Sequence, residues 1–242
     1  MDKFIAMLVA LMMSGMSNVG MEAAPTQPAD KIIISAHSGF YVPDVDAEDV
    51  ITYFAEVCLD SEITHSGNPK VVQKWACPIE YAIYGDPTEE DIRVLKEFCD
   101  WLNTVEGFPG ISKSRQRASA NMNIYFCPQS EIPERMGDDF YNMDGAVTYW
   151  YEENQIYDCI ICVRSDMNQH LRNSVLQEEV YNALGPVQDT VLRPDSLIYQ
   201  YYAEPQEMTE IDKLIVKLLY HPDMKCGMDS EQCAEVIRKL YR

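Results

Sequence analysis

The sequence predicts an α+β domain. Several segments with helical spacing carry their own start signals, and short runs between them alternate apolar and polar residues like strands. The order along the chain is helix, strand, helix, several strands, then helices. The chain has 242 residues, 47% hydrophobic and 24% charged, a balance that excludes a wholly disordered, collagenous or low-complexity protein. A core of normal size fits within this length.

Phe4 to Met13 (FIAMLVALMM) is an apolar run behind Lys3, too short to span a bilayer and suited to the core of a signal peptide. Small residues follow from Ser14 to Ala24, where cleavage is expected. No Cys follows the run, which argues against a lipoprotein anchor, and no later segment is apolar enough to cross a membrane. The expectation is a leader over residues 1–24, a linker with a short strand (KIIIS) over 25–45, and one domain over 46–242. The mature chain is expected outside the cytoplasm, secreted or periplasmic.

Asp46 to Leu59 has helical spacing, with Val50, Phe54, Val57 and Cys58 on one side. The seven carboxylates between Tyr41 and Thr64 read as a solvated face, since their spacing does not match a calcium loop. Ser66 to Pro69 reads as a turn. Lys74 to Tyr84 alternates like a strand and stops at Gly85-Asp86-Pro87. Thr88 with Asp91 is a capping pair, opening a helix to about Asn103 whose core stripe is Ile92, Leu95, Phe98, Cys99 and Leu102. Asn121 to Cys127 is a further strand. Val147 to Trp150 and Ile156 to Val163 pair as a hairpin through Glu152, Glu153 and Asn154. Asn173 to Leu184 is a helix stopped by Gly185-Pro186. Thr209 opens a helix to Tyr220, and Asp229 or Ser230 opens the last, to Tyr241.

Lys and Arg total 19 against 39 Asp and Glu, a net charge of −20. That balance excludes nucleic acid and anionic membranes as general partners, because phosphate contacts need clustered cations. A basic stretch such as Lys113 to Arg117 holds only three.

The eight cysteines, an even number, agree with an exported, disulfide-bearing chain. Cys226 and Cys233 flank a short turn and are the pair most easily closed. Cys159 and Cys162 lie on a strand-like run, where three residues put the two sulfurs on opposite faces, so they read as structural rather than redox or metal-binding.

The informative stretch is LQEEVYNALGPVQD, Leu176 to Asp189. On a helix, Leu176, Val180, Ala183 and Leu184 make the apolar stripe, with Glu178 and Asn182 one turn apart on the other side. A zinc-peptidase helix places two ligands one turn apart, a general-base Glu after the first, and a Gly that lets a third ligand return. Set against that pattern, Glu178, Asn182 and Gln188 stand where histidines would be, while Glu179, Gly185 and the trailing Asp189 match. Asp195-Ser196-Leu197-Ile198-Tyr199 resembles the turn that floors such sites, and Met208 to Tyr220 resembles the closing helix.

Trp75 and Pro78, Glu178-Glu179, Leu184-Gly185, Asp189, Leu219-Tyr220, Pro222 and Gly227-Met228 occur in the order seen in an uncharacterised exported bacterial family, domain of unknown function 2927. The chain resembles that family over roughly residues 46 to 240. It departs in having Asn182 where Gln is usual and Pro186-Val187-Gln188 before Asp189. The resemblance implies a zincin-like fold with degenerate ligands and assigns no activity.

None of the four histidines (His37, His65, His170, His221) occupies a ligand position of the motif. Glu178, Asn182 and Asp189 would form an all-oxygen set, suited to a divalent metal such as calcium or manganese rather than zinc. The favoured reading is therefore a pseudo-peptidase, a non-catalytic scaffold that binds no cofactor, in which Glu178 and Glu179 form a solvated, structural face. One alternative is a hydrolase with Glu179 as general base and a different metal or none. Another is a plain exported module that binds peptide or glycan. Its groove would run along the hairpin strand, lined by Tyr149 or Tyr151, because zincins take substrate as an added strand there. The partner would be an exported or cell-envelope protein or peptide.

Overall fold

The computed structural model describes residues 6–10, 39–60, 70–201 and 207–242. The predicted KIIIS strand, the leader's cleavage region and the turn at Ser66 to Pro69 lie outside the described residues.

The chain is α+β. One mixed sheet comprises β1 (Ala6–Ala10), β2 (Lys74–Trp75), β3 (Ile79–Gly85), β4 (Ile111–Lys113), β5 (Met122–Cys127), β6 (Gly145–Glu152) and β7 (Gln155–Arg164). Its order is β1-β6-β7-β5-β3-β4, with β2 on the first residues of β7. β3, β4, β5 and β7 run parallel, while β6 is antiparallel to both β7 and β1. The expected Lys74–Tyr84 strand is thus two strands, broken at Ala76-Cys77-Pro78. Proline cannot donate to a ladder and biases the residue before it, so the break falls where the chain chemistry puts it.

The β6–β7 hairpin turns through Glu153 and Asn154, both with positive φ (50° and 64°). That is the primed geometry whose twist matches paired strands.

Helix α1 (Ala47–Leu59) is capped by Asp46, and α2 (Glu89–Leu102) by the reciprocal Thr88–Asp91 box. Next come the short α3 (Ile132–Met136), α4 (Gln169–Asn182), α5 (Glu210–Tyr220) and α6 (Ser230–Leu240). α4 starts earlier than its apolar spacing suggests, because Asn168 accepts the Leu171 N–H and caps it; His170 therefore lies inside its first turn.

The main core gathers Ile83, Ile124, Phe126, Val147, Ile161 and Val163 from one sheet face with residues of α1, α2, α4, α5 and α6. A smaller cluster on the other face joins Cys127, Ala146 and Cys162 to Ile132 and Phe140. Cys159 belongs to the first and Cys162 to the second, so the two sulfurs lie on opposite faces. Ile92 departs from its expected place. It is 37% exposed, and Val94 takes the buried position on α2.

Candidate functional site

The motif helix α4 is buried nearly all round. Glu178 is 5% exposed, Glu179 and Asn182 are fully buried, and Asp189 beyond the turn is 8% exposed. The expected solvated face for Glu178 and Glu179 is corrected here: both carboxylates lie inside the molecule. Helical spacing cannot report this, because a helix covered on every side still reads as one apolar stripe beside a polar one.

Glu179 packs beneath the first residue of β6. A side-chain carbon at Gly145 would come within 2.5 Å of Glu179 Oε1 and 2.5 Å of Val175 Cγ1, so only glycine lets the strand approach this helix so closely. Glu178 and Asn182 share a side of α4 one turn apart. Both amide atoms of Asn182 are without a hydrogen-bond partner among the described residues. A buried amide left in that state is destabilising by itself, about 1–3 kcal/mol on protein scales.

The end of α4 is built in the opposite manner. Gly185 has φ +129°, and a side-chain carbon there would meet the Gln73 carbonyl oxygen at 2.4 Å. Trp75 Nε1 donates to the Ala183 carbonyl (2.8 Å), and the Tyr220 hydroxyl donates to the Leu184 carbonyl (2.9 Å). Two carbonyls at the helix end thus have side-chain donors. The tryptophan strand, the Leu184-Gly185 pair and the Leu219-Tyr220 pair thus meet at one turn. Lys74, beside Trp75, donates to the carbonyls of Leu219 (2.7 Å) and Met224 (2.6 Å), and burial pulls its ammonium down to about 8.

Ser196 sits in a second satisfied network. Its hydroxyl donates to Asp212 Oδ1 (2.6 Å) and accepts from the Tyr53 hydroxyl (2.8 Å). Asp212, in the capping box of α5, also accepts from the Leu197 and Thr209 N–H groups. Burial raises the Asp212 carboxyl above its ordinary range, against these hydrogen bonds. The segment after Gly185 is held by Val187 N–H to the Val57 carbonyl (2.9 Å), and Thr190 donates to Glu56 (2.6 Å).

Tyr149 is 1% exposed and donates to Gln73 Oε1 (3.0 Å), so it presents no surface to a ligand, and burial pushes its phenol above the usual range. Tyr151 is half-buried, 6.3 Å from Tyr149 ring to ring, on the same side of β6. Gln73 was not among the residues singled out in the sequence. Its side chain accepts from Tyr149 on β6 and its carbonyl lies against the Gly185 turn, and no signal in the sequence marks it.

All eight cysteines are unbridged. The expected Cys226–Cys233 link is corrected: Cys226 Sγ faces the Lys74 carbonyl (4.0 Å) and Cys233 Sγ the Met228 carbonyl (3.9 Å).

Zinc does not fit the motif. Its histidine positions hold one carboxylate and two amides, Glu178, Asn182 and Gln188, and Asp189 adds a second carboxylate, with neither imidazole nor thiolate. His170 stands two turns before Glu178, about 12 Å along the helix axis. Among the described residues, no three His, Cys, Asp or Glu side chains are grouped to hold a metal ion.

A family model described as "Protein of unknown function (DUF2927)" matches residues 47–239. No curated protein and no solved structure matches the chain.

Proposed function

The chain belongs to the DUF2927 family of proteins of unknown function, and from that premise we propose that it is an exported, non-catalytic scaffold with a degenerate metallopeptidase-like fold, which takes an extended peptide along the outer edge of β6.

The observation that carries this reading is the pairing of that edge. Ala6–Ala10 runs antiparallel to β6 in continuous register, from Ala6 opposite Trp150 to Ala10 opposite Ala146. An extended five-residue segment therefore fits the edge. The same segment lies in the apolar run read as a leader. Its removal on export would leave the β6 edge open to another chain in the same mode.

The position of α4 supports the metallopeptidase likeness, since the motif helix packs against β6 and β7 beside that edge. The ligand positions support the non-catalytic part, because they lack histidine and Glu179 is fully buried. Export rests on the leader-like run. No helix among the described residues is long and apolar enough to cross a membrane.

The test uses protein lacking residues 1–24 and a soluble peptide carrying AMLVA between lysines. Saturable binding that Glu179→Gln leaves unchanged, with the peptide intact by mass spectrometry, is the expected result. Cleavage of the peptide that Glu179→Gln abolishes would replace the scaffold with a hydrolase.

A further inference from the structure

At the far side of the sheet from β6, the ends of β3 and β4 and the start of α2 border a half-open cavity of about 290 Å³. Its lining divides by chemistry. Ile83, Pro87 and Ile92 supply an apolar wall, and Lys113, Arg115 and Arg117 supply cations. They stand within five residues of one another in a chain of net charge −20.

None of the three forms an ion pair with a described residue, whereas Arg93, Lys96, Arg135, Arg164, Arg172 and Arg238 all do. Ten of the seventeen described Lys and Arg side chains are ion-paired. Three without an ion pair line this one cavity and leave a local positive field.

The site is also held in shape. Arg117 stacks on the Tyr84 ring at 5.1 Å, and Tyr84 stacks on Tyr125 at 4.6 Å. The Ser114 N–H donates to the Tyr81 carbonyl (2.8 Å), and the Ser114 hydroxyl donates to Glu80 (2.8 Å). The Glu80 carboxylate thus meets a hydroxyl rather than the cations. Ile92 is the residue that helical spacing placed in the core and the structure leaves 37% exposed, at this wall. The strands β3 and β4 are parallel, and the cavity lies at their carboxyl ends, where open α/β sheets take ligands.

We propose that this cavity binds a small organic anion. The oxyanion head, a phosphate or carboxylate, pairs with Lys113, Arg115 and Arg117, and a compact apolar body lies on Ile83, Pro87 and Ile92. The volume suits a ligand of one ring or a short chain, near the lower bound for small-molecule pockets.

Calorimetric titration of the full domain at fixed ionic strength tests this, with phenyl phosphate, benzoate and inorganic phosphate as probes. Saturable binding of phenyl phosphate or benzoate is expected, with inorganic phosphate at least tenfold weaker for want of an apolar body. Replacing Lys113, Arg115 and Arg117 together by Gln should weaken the organic anions by about a hundredfold, since charge-assisted contacts are the strong ones. Ile92→Ser should weaken them several-fold while leaving inorganic phosphate alone. All these side chains except Ile83 and Pro87 are exposed, so the variants should keep the parent melting temperature, which is checked beside each titration. Absence of saturable binding, binding indifferent to the triple Gln variant, or inorganic phosphate equal to phenyl phosphate would each overturn the proposal.

Discussion

The two sides of the sheet end differently. β4 is three residues long and finishes at Lys113, in the unpaired basic stretch. A short, charged edge resists pairing with another chain. β6 is eight residues long, GAVTYWYE, free of Lys and Pro, and accepts an extended antiparallel segment in full register. The contrast teaches that pairing is admitted on one side of this sheet and discouraged on the other. The β4 side instead concentrates positive charge over a cavity.

If β6 takes a partner strand without itself being loose, the structure behind it must be rigid. The sharpest probe is Gly185→Ala, which forces a side-chain carbon to 2.4 Å from the Gln73 carbonyl at φ +129°. Its expected effect is a loss of about 3 kcal/mol or more in denaturant unfolding, combining left-handed strain with a backbone clash. A neutral result would mean that the Trp75–Gly185 turn yields, and the rigid-support premise would fall.

Gly145→Ala comes next. The obstructing atoms are the side chains of Glu179 and Val175, which can shift, so a smaller loss of about 1–3 kcal/mol is expected. Glu179→Ala made in the Gly145→Ala background should recover part of it, readable as a non-additive double-mutant cycle.

Asn182→Leu runs the other way. Its amide is fully buried with neither atom hydrogen-bonded among the described residues, so an apolar side chain of similar size should raise stability by about 1–2 kcal/mol. A fall of similar size would show the amide to be structural.

A pH dependence gives the last test. Burial lowers the Lys74 ammonium from 10.5 to about 8 in the folded chain. Between those values the unfolded state binds more protons, so this group's contribution to stability rises with pH across that window, and the burial penalty is fully present below it. Buried tyrosines such as Tyr149 and Tyr220, whose phenols are raised by burial, act in the opposite sense above pH 10. The readout is therefore the difference between the wild type and Lys74→Met. It should shift in favour of the wild type on going from pH 8 to 10.5.

Much of the fold was legible because its signals are local. The Thr88–Asp91 box and the Glu153-Asn154 turn are each decided within a few residues. The opposite faces of Cys159 and Cys162 follow from strand alternation alone. β4 and α3 escaped notice because three and five residues do not establish a period. Glu178 and Glu179 looked solvated because sequence shows polarity and not what covers it. Ile92 looked buried because its spacing fits a stripe that Val94 in fact completes. Gln73 carried no motif, and its role exists only where β6, β2 and the Gly185 turn meet.

The β6 edge offers the sharpest single test. Amide hydrogen exchange of the protein lacking residues 1–24 should be measured by NMR with and without the lysine-flanked AMLVA peptide. The account predicts that saturating peptide slows exchange at alternate amides of Ala146 to Trp150 and leaves those of β4 unchanged. Binding with no protection along β6, or equal protection at both edges, would contradict it.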